Sequence, residues 1–234
     1  MRAGSHCPRS YAPVMRVPAF ATLAAAPAPR LDQLALALAV ELRDDVDAGW
    51  ALAELDRLGA ELAPLVGGGA GAEAEAEACR HLLGEIYGFE GDDDEYDHPD
   101  NSMLDLVLAR RVGLPILLSA VYVEVARRAG IALQGVGLPG HFAVGHFGSD
   151  PPLLLDPYDG GERIRPEVDP VHVRPWGAHE TALRMLNNLV GSYERRGDLA
   201  RAIRAAELRV LLPLSSSLRA DLELSLKRVR ARLN

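Results

Sequence analysis

The stretch VGLPGHFAVGHF, residues 136–147, sets His141 directly after Pro139-Gly140 and ahead of alternating apolar and small residues. Further on, LLLDPYDGG closes a short apolar run on Asp156. An imidazole titrates near neutrality, and a carboxylate beside it fixes its tautomer and supports its charge. A histidine and an aspartate at the ends of neighbouring strands are therefore two thirds of a catalytic triad. The third member must be a thiol or hydroxyl within reach of the ring.

The sequence offers few nucleophiles. Cys79 lies in AEAEAEACRHLLGEIYGF, where it shares core spacing with Leu82, Leu83 and Ile86, so it reads as a small buried hydrophobe. Ser119 lies inside the apolar run ILLSAVYVEVARRAG, away from a helix-terminal field, where its hydroxyl can bond back to a carbonyl. A metal site from His141, His146 and Asp156 meets a geometric obstacle. On one strand the two histidines differ by an odd number of residues and face opposite ways. No CxxC or Cys/His zinc spacing exists, and Gly140, Gly160 and Gly161 are turn glycines without phosphate-loop spacing. Neither a metal nor a cofactor is expected. The acidic loop EGDDDEYDHPDNS lacks the ligand order of a calcium loop and reads as solvated.

These residues need elements to hold them. Helical patterning begins at Leu31 with LDQLALALAVELR, capped by Asp32, and continues in AGWALAELDRLGAEL after Asp44, Asp45 or Asp47. Gly67 to Gly71 is a flexible connection before the helix that carries Cys79. Asp100 or Asn101 caps SMLDLVLARRV, which ends near Gly113. Pro115 opens the next helix, because its missing N–H would be unpaired there anyway. Over 116–129 that helix is apolar on nearly every face until Glu124, Arg127 and Arg128, so it is expected to be central and buried. The period then becomes strand-like in IALQGVGL, HFAVGHF and PLLLD, whose short connections predict an antiparallel meander packed on the buried helix. From Thr181 the chain is helical again, with a turn at Gly197-Asp198.

Asn101-Ser-x-Leu104, VLARRVGLPILLSAVYVEVARRAG, GVGLPGHFAV, LLLDPYDGG and RMLNNLVGSYERRGDLARAI occur in this order. Together they resemble the transglutaminase-like, papain-related superfamily. The likeness is closer to its bacterial SirB-type branch, whose core is also found in an F-box protein. The resemblance runs from about Leu31 to about residue 214. It implies an α+β fold: N-terminal helices, a buried central helix on an antiparallel sheet, and C-terminal tetratricopeptide-like helices. Catalytic members open the central helix with Gly-x-Cys and close it with a segment like Arg127-Arg-Ala-Gly130-Ile131. Counting back from that segment puts Gly113-Leu114-Pro115 on the Gly-x-Cys, so a proline stands where the thiol belongs. The branch commonly has Gly-Ile-Pro there. The resemblance also implies a pocket built from Asn101, Pro115, Phe142 and Tyr158 around His141 and Asp156.

The expected domain plan is a disordered extension over 1–30, a transglutaminase-like core over 31–175 and a tetratricopeptide-like helical tail over 176–234. Leu189, Tyr193, Ala202 and Pro213 follow the tetratricopeptide pattern for about one repeat, too little to stand alone, so the tail must pack on the core. Such helices bind peptides, and an unknown protein or peptide partner at the tail is the implied partner class. The chain of 234 residues carries a net charge of −8, which argues against nonspecific binding to nucleic acid or anionic membranes. That mean hides an asymmetry. Residues 41–100 hold 18 Asp/Glu against 3 Arg, and residues 184–234 hold 11 Arg/Lys against 5 Asp/Glu, so the tail can dock on the acidic half. No apolar run reaches the length of a membrane span, and the arginines near the N-terminus precede only a short, proline-broken apolar stretch, so a cytoplasmic protein is expected. The functional expectation is a non-catalytic, binding or regulatory protein. The alternative is a divergent amide-bond hydrolase or acyltransferase using His141 and Asp156 with Ser119 or an activated water.

Overall fold

The computed structural model describes residues 17–67, 71–165 and 173–232. Cys7 and the middle of the glycine-rich connection lie outside the described residues. Three N-terminal helices come first: α1 (Phe20–Ala25), α2 (Leu31–Leu42) and α3 (Ala48–Leu62). The expected extension over 1–30 is corrected within this stretch, because Phe20 is fully buried and Leu23 and Ala24 join the same core. An aromatic ring with core to fill outweighs the proline-rich surroundings that read as unstructured. Asp47 caps α3 as expected, accepting a hydrogen bond from the Trp50 N–H at 2.9 Å. Asp32 does not cap α2. Arg30 holds that position and Asp32 is the second residue of the helix, buried, where it binds arginines.

Helix α4 (Ala72–Cys79) continues as a wider π turn over Arg80–Ile86. There follow the short strand β1 (Glu90–Gly91), a tight turn over Pro99–Ser102, α5 (Leu104–Arg110) and β2 (Val112–Gly113), which pairs in parallel with β1. Asp100 and Asn101 belong to that turn and cap nothing. Met103 precedes α5 without a side-chain cap, and Arg111, at φ 61°, rather than Gly113 ends it. Gly113 is needed for space, since a Cβ there would lie 2.7 Å from Val107.

Helix α6 (Pro115–Arg128) is the buried centre, with Pro115 in its first turn. Ile116, Leu117, Leu118, Val121, Tyr122 and Val125 all lie in the main core. Gly130, at φ 80°, turns the chain. The sheet then runs β3 (Leu133–Leu138), β4 (His141–His146), β5 (Leu153–Asp156) and β6 (Glu162–Ile164), antiparallel and in sequence order. The meander is thus one strand longer than the pattern predicted. Leu138 pairs with His141 across the Pro139-Gly140 turn, and Val144 pairs with Leu155. Phe142, Val144 and Leu155 join the α6 core, whereas Val136, Leu138, Ala143 and Leu154 form a second cluster on the other face. By alternation His141 and Asp156 belong to the face of that second cluster.

The chain ends in α7 (Ala178–Arg195), α8 (Leu199–Arg209) and α9 (Ser216–Ala231). Ala182, Met185, Leu186 and Leu189 of α7 enter the main core, so this helix is integral to it. Basic side chains of the C-terminal helices meet the acidic half of the chain: Arg195 pairs with Asp97 at 2.7 Å, and Arg204 pairs with Glu41.

Candidate functional site

The two residues that raised the question of catalysis do meet. His141 Nε2 lies 2.7 Å from Asp156 Oδ2, and the imidazole is about one third exposed while the carboxylate is buried. Asp156 Oδ1 accepts the Tyr158 N–H at 3.0 Å, which fixes the carboxylate at the end of β5. The hydrogen bond to Asp156 raises the pKa of His141 above its usual value, although partial burial and nearby Arg184 work the other way. The ring is therefore held with Nε2 toward its carboxylate, and among the described residues Nδ1 has no hydrogen-bond partner.

Among the described residues no nucleophile meets this pair. Pro115 is buried in the first turn of α6. Ser119 is fully buried and its Oγ has no hydrogen-bond partner, neither His141 nor the carbonyl one turn back. Cys79 is fully buried on α4, and burial pushes its thiol up to about 12, so it stays protonated and inert. His146 turns to the α6 face and binds Glu75 at 2.6 Å, with its Nδ1 accepting the Gly148 N–H. It is a structural clip between α4 and β4. Among the described residues no group of three or more His, Cys, Asp or Glu is placed to hold a metal ion.

The pocket residues implied by the resemblance divide into two places. Asn101 and Tyr158 secure the acidic loop. Asn101 Nδ2 donates to Asp92 and to the Glu95 carbonyl, both at 2.9 Å, and the Tyr158 hydroxyl donates to Asp93 at 2.8 Å. The Tyr158 ring takes the room that a side chain at Gly91 would need. Phe142 instead packs edge-on against Trp176, with ring centres 5.5 Å apart. Arg184 of α7 lies over both rings, 5.5 Å from the centre of Phe142 and 5.9 Å from that of Trp176. Its Nη1 donates to the Leu138 carbonyl at 3.2 Å. Sequence reasoning missed Trp176 and Arg184. Their one trace is Gly137, where a Cβ would sit 2.1 Å from the indole.

The buried helix, the meander and a histidine–aspartate pair at the strand ends define a transglutaminase-like core. Residues 49–192 match the transglutaminase-like superfamily, more than half of the chain, and the chain belongs to that superfamily. It is similar to a UPF0162 protein of Xylella fastidiosa, 37% identical over 148 residues, covering 56% of this chain and 53% of the relative. A UPF0162 protein of Pseudomonas aeruginosa is 36% identical over 149 residues, covering 64% and 54%. F-box only protein 21 of Mus musculus shares 36% identity over 66 residues, 28% of this chain and 10% of its own length. The chain spans about half the length of the bacterial relatives it matches. No solved structure was found to match it significantly. No helix among the described residues is long and apolar enough to cross a membrane.

Proposed function

We propose that this chain is a non-catalytic member of the transglutaminase-like superfamily, in which the His141–Asp156 pair binds or positions a ligand instead of activating a nucleophile. The observation that carries this reading is Pro115 in the first turn of α6, at the position the resemblance assigns to the thiol. Proline supplies neither a nucleophile nor an N–H. A helix N-terminus would have lowered a thiol pKa there, and no thiol is present to benefit. The unpartnered Ser119 Oγ speaks against a serine substitute. The proposal extends to the SirB-type branch, to a tetratricopeptide-like unit over 176–234 that receives a protein or peptide, and to a cytoplasmic setting. The match within F-box only protein 21, over 10% of that protein, is in keeping with a core that serves as one part of a larger protein.

The test is turnover. The purified chain is expected to leave peptide amides and esters uncleaved and untransferred. Turnover that disappears in both His141→Ala and Asp156→Asn, with folding intact by circular dichroism, would falsify the proposal and install an activated water beside His141.

A further inference from the structure

The C-terminal helices meet the rest of the fold along a seam away from the His141–Asp156 pair. An open groove of about 610 Å³ lies in that seam, within the range of about 300–1,000 Å³ common to small-molecule sites. Its walls come from three segments: the connection of α2 to α3, the turn before α5, and the turn between α7 and α8. Direct bonds fix these walls to one another. Arg201 Nε donates to the Leu42 carbonyl at 3.1 Å, and Ser192 Oγ donates to the Asp97 carbonyl. Arg43 is held by Asp45 at 2.8 Å and by Asp105 at 3.1 Å. The groove is therefore preformed, and little ordering is left to oppose binding.

Part of the charge lining the groove is already matched: Arg43 has its two aspartates, and Arg201 binds Asp198 at 2.7 Å. What remains unmatched is of both signs. Arg196 meets no carboxylate among the described residues, although its neighbour Arg195 binds Asp97. Among the same residues Asp44 forms no ion pair, and Asp100 has only His98, at 3.6 Å. Tyr193 lines the same groove. It is 5% exposed, and its hydroxyl has no hydrogen-bond partner among the described residues. An enclosed hydroxyl without a partner carries a desolvation cost that a ligand oxygen would relieve. Burial raises the pKa of this phenol, and the charges of Arg201, Asp198, Asp100 and Arg43 act on it next, so both signs converge there and the hydroxyl keeps its proton as a donor.

We propose that this groove binds a zwitterion, with Arg196 and the Tyr193 hydroxyl taking its carboxylate and Asp44 and Asp100 taking its ammonium group. Phosphate would meet the four aspartates that line the groove, and a simple cation would meet its three arginines. A molecule with one charge of each sign satisfies both sets and is selected over either. A free α-amino acid and a short peptide with both ends free share this chemistry. Neither His141 nor Asp156 lines the groove, so the site is separate from the one proposed above.

The experiment is a nuclear magnetic resonance titration of the full chain, following the Tyr193 ring and the Arg196 Nε–H. The probes are glycine and triglycine, which carry both charges, N-acetylglycine, which carries only the carboxylate, and glycinamide, which carries only the ammonium. Saturable shifts of both residues are expected with glycine or triglycine, at affinities at least about tenfold above those of the two singly charged probes. The tighter of the two zwitterions tells a free amino acid from a short peptide. Arg196→Gln and Tyr193→Phe are each expected to weaken that binding about tenfold. Asp100→Asn is expected to narrow the advantage over N-acetylglycine while leaving N-acetylglycine itself bound no more weakly. If Tyr193→Phe fails to fold, the variants at Arg196 and Asp100, which stand nearer the solvent, still decide. Absence of saturable shifts, equal binding of a singly charged probe, or binding unchanged in Arg196→Gln would overturn the site. Each of these outcomes leaves the non-catalytic reading of His141 and Asp156 standing.

Discussion

His141 and Asp156 show how one hydrogen bond couples a site to stability. The bond raises the folded-state pKa of His141 above its ordinary 6.5. A histidine with a raised folded pKa contributes stability in full below the unfolded value, and that contribution fades as pH climbs through the folded one. Asp156→Asn is therefore expected to lower the His141 pKa, read by its ring resonances. Its stability deficit in urea unfolding is expected to be larger near pH 6 than above about pH 8. A deficit that grows with pH would show that Asp156 acts elsewhere. Ser119 makes the opposite case. Its buried Oγ has no partner, so it carries a desolvation cost without a compensating bond. Ser119→Ala is expected to leave thermal stability unchanged or raise it, by up to about 1 kcal/mol, and to leave binding at His141 untouched. A clear loss of stability would reveal a hydrogen bond made by that hydroxyl.

At the scale of elements, the parts legible in the sequence were those with a strong local signal. Pro115 announced the start of α6, the period-two run announced β3 and β4, and Pro139-Gly140 announced their turn. The odd spacing of His141 and His146 correctly separated them onto two faces, as the two clusters show. What stayed hidden depends on contacts distant in sequence. Asp32 looks like a helix cap and becomes an internal ion partner, because Arg128 reaches it from α6 at 2.6 Å. Trp176 comes to the site through its backbone pairing with Gly135 of β3, and Arg184 through the reach of its side chain from α7 to the Leu138 carbonyl. The π turn after Cys79 is another such feature. Gly84 lies in it, and a Cβ there would sit 1.7 Å from the Gly160 carbonyl oxygen, which is backbone and cannot swing aside. That turn holds the segment following Asp156 against the helix. Gly84→Ala is expected to destabilise the fold by about 1–3 kcal/mol or more, as overpacking against backbone does. The measurement is a denaturant midpoint, and an unshifted midpoint would mean that the two segments separate freely.

At the scale of the whole molecule, one charge cluster ties the N-terminal helices to the centre of the fold. Asp32 of α2 and Glu124 of α6 are both buried, and Arg128 binds them at 2.6 and 2.9 Å while also reaching Asp56 of α3. Gly59 of α3 makes the room, since a Cβ there would lie 2.4 Å from Arg128. The two carboxylates respond differently to the shared arginine. Burial opposes the charge of Asp32, but hydrogen bonds from Arg30 and Arg128 outweigh it and its pKa falls. Glu124 is pushed up, first by burial and then by the charge of Asp32. Removing the guanidinium would strand both acids in the interior, a situation that costs about 3–5 kcal/mol when one partner of a buried pair is lost. Arg30 and Arg127 still border the cluster, so Arg128→Met is expected at the lower end, about 3 kcal/mol. The sign of its pH dependence follows from the acids. In the variant their folded pKa values rise above the unfolded ones, so stability falls as pH climbs from about 4 toward the raised values. The deficit of Arg128→Met relative to the natural chain is therefore expected to be smallest near pH 4 and to grow toward neutrality. Adding Glu124→Gln removes one of the stranded charges and is expected to recover part of the loss at neutral pH. A deficit independent of pH, with no recovery in the double variant, would assign the role of Arg128 to packing of its aliphatic stem against α3.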